Sequence, residues 1–167
     1  MAEGTKDRPI EFTALDERDD ELTLEDSSLW GGLIILGKAI LNDAGNPIIQ
    51  ADNPVLNERE IEGFPAGGND EFIKYGGLDD DDNSGVLKYV SIRFGGFEFQ
   101  QDEEINGLTL GAVGRGTTIE YVEVFNNSDD GVEFFGGTVN TKYMVMAFNE
   151  DEQFDIDQGY RGKNQFW

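Results

Sequence analysis

Any chemistry in this chain has to be built largely on carboxylates. Its 167 residues include 35 Asp and Glu against 12 Lys and Arg, with no His and no Cys. The absence of His removes the commonest general base and the commonest zinc ligand. The absence of Cys removes thiolate nucleophiles, thiolate metal sites and disulfides. One set of acids is ordered by its spacing: Asp129 recurs 22 residues later as Asp151, and Glu133 as Asp155, with Asp130, Glu152 and Asp157 beside them. If 22 residues make one turn of a stacked structure, equivalent carboxylates lie about 4.8 Å apart, the distance between neighbouring strands. Like charges so placed cost about 1 kcal/mol in water and several times that where the effective dielectric is about 20. A bound Ca²⁺, which prefers clustered oxygen ligands, reverses the sign. Asp129, Asp130, Glu133, Asp151, Asp155 and Asp157 are therefore the candidate metal ligands and Ca²⁺ the candidate ion, set against the plainer reading of solvated acidic turns.

Other patterns carry less. The run Asp79-Asp80-Asp81-Asp82-Asn83-Ser84-Gly85 does not complete an EF-hand loop, because no Glu follows at the twelfth position. Paired carboxylates can cleave glycosidic bonds, but spacing singles out no one pair here. Lys88, Arg93, Lys142, Arg161 and Lys163 are the few cations able to hold an acidic sugar, and Arg93 and Arg161 are expected to pair with local acids. Gly111 to Gly116 resembles a phosphate-binding loop but is not followed by a helical pattern, so it reads as a turn.

The elements that position these residues are short strands. Glu120-Tyr121-Val122-Glu123-Val124 recurs 22 residues later as Lys142-Tyr143-Met144-Val145-Met146, and an earlier copy, Lys88 to Phe94, lies 32 residues before it. Periods of this length mark solenoids, in which each coil buries its apolar face only when the next stacks on it. Within the copies apolar and polar residues alternate, placing Val90, Ile92, Phe94, Val122, Val124, Met144 and Met146 inside. Further strands are expected over 10–13, 33–36, 108–110, 132–135 and 154–156, and the 22 Gly provide frequent turns. Three strands per coil fit the period. The fold class is thus all-β, a right-handed parallel β-helix over residues 1–167 with little helix. An acidic loop over 15–28 and a long excursion over 42–84 depart from the repeat, the latter with a short helix capped by Asn53. Phe94, Phe97, Phe99, Phe134, Phe135, Phe148 and Phe154 read mostly as core, with sugar stacking as the other possibility.

The residues Trp30-Gly31-Gly32-Leu33-Ile34-Ile35-Leu36-Gly37, Tyr75-Gly76-Gly77, Asp82 to Val90, Glu104 to Leu110 and Phe135 to Asn140 together resemble a family of secreted repeat proteins of marine and Bacteroidetes-type bacteria. The resemblance implies a right-handed parallel β-helix at the cell surface or outside the cell, mostly without an assigned activity. It also implies relatives that are longer at both ends.

A formal charge of −23 repels phosphate backbones and argues against nucleic-acid binding. No apolar run approaches the roughly 20 residues that span a bilayer, so membrane insertion is not expected. Phe166 and Trp167, closing the sequence without a polar cap, are the expected assembly interface for end-to-end stacking. The function expected from all of this is a non-catalytic extracellular scaffold, adhesive or filament-forming. The alternative is a β-helix module that binds or cleaves polysaccharide.

Overall fold

The computed structural model describes residues 1–15, 22–42, 57–62, 64, 71–99 and 104–167. In chain order the strands are β1 (Ala2–Glu3), β2 (Ile10–Phe12), β3 (Leu33–Leu36), β4 (Arg59–Glu60), β5 (Lys74–Tyr75), β6 (Val86–Arg93), β7 (Leu108–Gly111), β8 (Thr118–Phe125), β9 (Val132–Phe135), β10 (Asn140–Ala147), β11 (Phe154–Asp157) and β12 (Asn164–Gln165). Two sheets carry the fold, one ordered β1-β6-β8-β10-β12 with β2 also on β6, the other β11-β9-β7-β3. Every pairing in these two sheets is parallel. Leu87 pairs with Ile119, Ile119 with Thr141, and Thr141 with Asn164, so successive coils take 32, 22 and 23 residues. This is a parallel β-helix solenoid.

The coil has three straight runs because its longest strands bend. Tyr89, Tyr121 and Tyr143 interrupt β6, β8 and β10 with left-handed backbone at φ 50°, 56° and 58°. The first coil shows the two halves apart: β1 pairs with the part of β6 before Tyr89 and β2 with the part after it. The second corner is left-handed at Phe94, Asn126 and Phe148, and the third at Ala112, Gly136 and Gln158. Only one of these nine corner residues is Gly. Left-handed backbone costs an L residue roughly 1–2 kcal/mol, so stacking between coils rather than local preference holds the corners. Gly is required instead for close approach: a Cβ on Gly107 would collide with the Val124 side chain.

The expected inward residues line one core. Val90, Ile92, Val122, Val124 and Met144 are buried with Leu108, Leu110, Val132 and Phe134 from the second sheet, and Met146 packs against them. Phe94 and Phe135 are buried too, but Phe97, Phe99 and Phe148 are about half exposed, which corrects the expectation of core for those three. They lie at or beside the second corner, where side chains leave the pleat that turns alternate residues inward.

The excursion is a lid on the second sheet. Its described part holds the antiparallel pair β4–β5 and a 3-10 turn over Glu71–Ile73. Ile61, Ile73 and Tyr75 pack with Ala112 and Phe135, and the outward-facing Ile34 and Leu36 join them. β7 and β9 are buried on both faces as a result. The expected helix capped by Asn53 lies partly outside the described residues, and its remainder is otherwise structured, Arg59–Glu60 being a strand. Of the acidic loop, residues 16–21 lie outside the described set; beyond them Thr23 and Asp26 close a turn. No helix among the described residues is long and apolar enough to cross a membrane.

Candidate functional site

Two features repeat from coil to coil on the outer surface. The first grows from the turn between β8 and β9. Asn127, fully buried, donates Nδ2 to the carbonyls of Ile105 and Asp130 at 3.1 Å each, and its own N–H donates to Asn149 Oδ1, its counterpart one coil on. This asparagine pair fixes the turns that carry Asp129 and Asp151. Asp130 is locked from the next coil by the Glu152 N–H, which donates to its Oδ1 at 2.9 Å. Glu133, on β9, lies between Thr109 and Asp155 in the ladder.

Of the six acids expected to gather, the structure brings together five. Carboxylate oxygens of Asp129, Asp130 and Asp151 fall within 4.8 Å of one another, as do those of Asp130, Glu133 and Asp155. Asp157 belongs to neither group; it ends β11, two residues past Asp155, opposite Phe135. Burial and crowding hold protons on the inner members. Desolvation, helped by Asp129, pushes Asp130 up to about 7, and desolvation with the neighbouring charge of Glu62 pushes Glu133 up to about 9. Asp129 is raised for the same first reason.

Glu62 and Asn106 are the members that sequence spacing does not reveal. Glu62 acts from the excursion, and the burial of Glu133 depends on a lid with no repeat. Asn106 donates Nδ2 to Glu133 Oε2 at 2.7 Å; its only sequence signal is a position 24 residues before Asp130, outside the 22-residue period.

The second feature is aromatic. Tyr89 stacks on Tyr121 with ring centroids 4.4 Å apart, Tyr121 on Tyr143 at 4.5 Å and Tyr143 on Phe166 at 4.9 Å, all within 15° of parallel. Lys142 lies 5.1 Å from the centre of the Tyr143 ring and 5.5 Å from that of Phe166. Beside this column runs a cleft of about 600 Å³, bordered by Glu11, Ser91, Arg93, Glu123 and Val145. Ser91 Oγ donates to Glu123 Oε2 at 2.6 Å across adjacent coils. Arg93 packs its guanidinium 4.9 Å from the Phe125 ring and 5.4 Å from that of Phe94.

The family model described as a pectate-lyase-like β-helix domain matches residues 1–167, the whole chain. The chain belongs to that family. Membership in the pectate-lyase-like β-helix family agrees with the parallel coils. No curated protein and no solved structure matches it.

Phe166 and Trp167, the expected assembly pair, have internal partners in this β-helix domain. Trp167 stacks on Phe154 at 4.0 Å with planes 5° from parallel and donates Nε1–H to Thr141 Oγ1 at 3.0 Å. Phe166 continues the tyrosine column with its outer face exposed.

Proposed function

We propose that this pectate-lyase-like domain is an extracellular polysaccharide-binding module that holds a glycan chain along the tyrosine column without cleaving it. The observation that carries the reading is the cleft itself: the aromatic column of Tyr89, Tyr121, Tyr143 and Phe166, with the row Glu11, Ser91, Glu123 and Val145 of adjacent strands beside it and Arg93 also in the lining. A pyranose ring offers the complement, an apolar C–H face for the column and hydroxyls for carboxylate, hydroxyl and guanidinium partners. The repeat of the coil repeats this column, as a polymeric ligand requires. The formal charge of −23 repels polyanions, so the preferred ligand is a neutral polysaccharide. The crowded carboxylates of the other feature belong to a different face, around the second sheet, which supports binding over cleavage.

Affinity electrophoresis through gels containing soluble neutral or acidic polysaccharides tests this, with product solutions assayed for new reducing or unsaturated ends. At least one neutral polysaccharide should retard the chain, and Val145→Asp, at a position 56% exposed, should abolish the retardation while leaving the fold intact. Unretarded migration in every gel contradicts the reading and favours a purely structural scaffold; new chain ends would convert it to an enzyme.

A further inference from the structure

The tyrosine column has a chemistry of its own, apart from the cleft beside it. Tyr89, Tyr121 and Tyr143 hold one position on three successive coils, with ladder pairs in register on either side of them. Their rings stack 4.4 and 4.5 Å apart, at 9° and 14° from parallel. A shift of one coil thus carries each ring onto the next and lays the carbons ortho to the phenol oxygen over their counterparts. The column stands at the surface: Tyr121 is 36% exposed, and Tyr89 and Tyr143 are half-buried. Phe166 extends the stack beyond Tyr143 but brings no phenol to it.

The other two of the five tyrosines lack this arrangement. Tyr75 is buried, packs on Phe135 and donates its hydroxyl to Gln158 Oε1 at 3.0 Å. Tyr160 packs on Phe134, and its hydroxyl is bonded to the Val139 carbonyl at 2.7 Å. Among the described residues neither has a second tyrosine against its ring.

A phenol that loses one electron and one proton becomes a radical with spin on its ortho carbons, and two such rings already held in register need little further ordering to react. Tipping two neighbours together at their exposed edges closes the remaining gap. We propose that Tyr121 is the centre of an oxidative cross-linking site, where it couples to Tyr89 or Tyr143 and joins two coils through a carbon–carbon bond. The oxidant is a one-electron agent of the peroxidase and peroxide class. Each phenol gives up its O–H hydrogen as an electron and a proton. The two radicals then bond through ortho carbons, and the hydrogens on those carbons move to the oxygens, restoring both phenols. The two electrons and two protons released reduce one hydrogen peroxide to two waters. In a chain without Cys, such a bond takes the place of a disulfide, restricting the unfolded chain by closing a loop between coils. The assignment does not depend on glycan binding.

The test treats the whole chain with a haem peroxidase and hydrogen peroxide, at a dilution that suppresses coupling between molecules. Dityrosine fluorescence, intact mass and peptide mapping of the monomer fraction read the outcome. The expected product is a monomer lighter by two hydrogens, with a cross-linked peptide pair that contains Tyr121 and a melting temperature raised by about 5 °C or more. Tyr121→Phe keeps a ring in the stack but should lose the intramolecular product, because Tyr89 and Tyr143 are two coils apart. Tyr75→Phe and Tyr160→Phe should react as the wild type does. Urea, which dissolves the register, should lower the yield of the Tyr121 pair. Dityrosine found only between molecules, an undiminished yield in Tyr121→Phe, or a yield as high in urea as in buffer overturns the site. A cross-linked monomer that melts no higher than the untreated chain overturns its role in holding the coils together.

Discussion

Tyr121 lies flat on Tyr143, ring centroids 4.5 Å apart and planes 14° from parallel, although both residues hold left-handed backbone. The two facts are linked, because the bend at the tyrosine turns each ring outward into register with the one on the next coil. Stacked aromatic pairs contribute about 0.5–1.5 kcal/mol beyond the area they bury. That is comparable with the cost of the backbone, and a residue that keeps the bend without the ring retains only the cost.

Replacing Tyr143 therefore has an unusual order of outcomes. In an ordinary strand Gly is worse than Ala by about 0.5–1 kcal/mol. At Tyr143 both variants lose the stack, but Gly accepts φ 58° freely, so Tyr143→Gly should be the more stable of the two by about 1 kcal/mol. Urea unfolding of both variants measures the difference.

Asp80 joins the start of a coil to the end of the chain. It receives Arg161 Nη1 and Nη2 at 2.8 and 2.7 Å and the Ile40 N–H at 3.1 Å. The hydrogen bonds from Arg161 are the main reason its carboxyl is held below the usual range. A carboxylate lowered in the folded state stabilises above its ordinary pKa and loses that contribution as pH falls through the folded value. Asp80→Asn should cost about 1 kcal/mol at neutral pH, the pair being partly exposed. The difference from wild type should shrink toward zero as melting is repeated down to about pH 2.

The inner acids act in the opposite direction. Glu133 and Asp130 are raised to about 9 and about 7, chiefly by burial, among Asp129, Asp155, Glu62 and Glu152. Groups whose folded values lie above their unfolded ones stabilise fully in acid, and that contribution disappears as pH rises from about 4 toward the folded values. In EDTA the chain should thus melt higher near about pH 5 than near about pH 8, and Glu133→Gln should flatten the decline.

Much of the fold is legible because a solenoid writes its geometry into a period. The offset from Tyr121 to Tyr143 is the offset of the strand register itself, and the pairing of Glu133 with Asp155 follows from it. What breaks the period stays hidden. The lid over Glu133 comes from the excursion, so the burial of that acid could not be read from its copy Asp155, which remains partly exposed. Turns are expected at the many Gly, yet Tyr89, Phe94 and Phe148 hold left-handed backbone, because neighbours on adjacent coils override local preference. The tyrosines were visible as markers of the repeat; that their column borders a cleft depends on the bend, which alternation alone does not encode.

The most direct test of the account is an amide NMR titration of the chain with oligosaccharides cut from whichever neutral polysaccharide retards it in gels. The account predicts the largest shifts at the amides of residues 89–93, 121–123 and 143–145. Shifts confined to the acidic turns around Asp130, or the absence of any saturable shift, would contradict it.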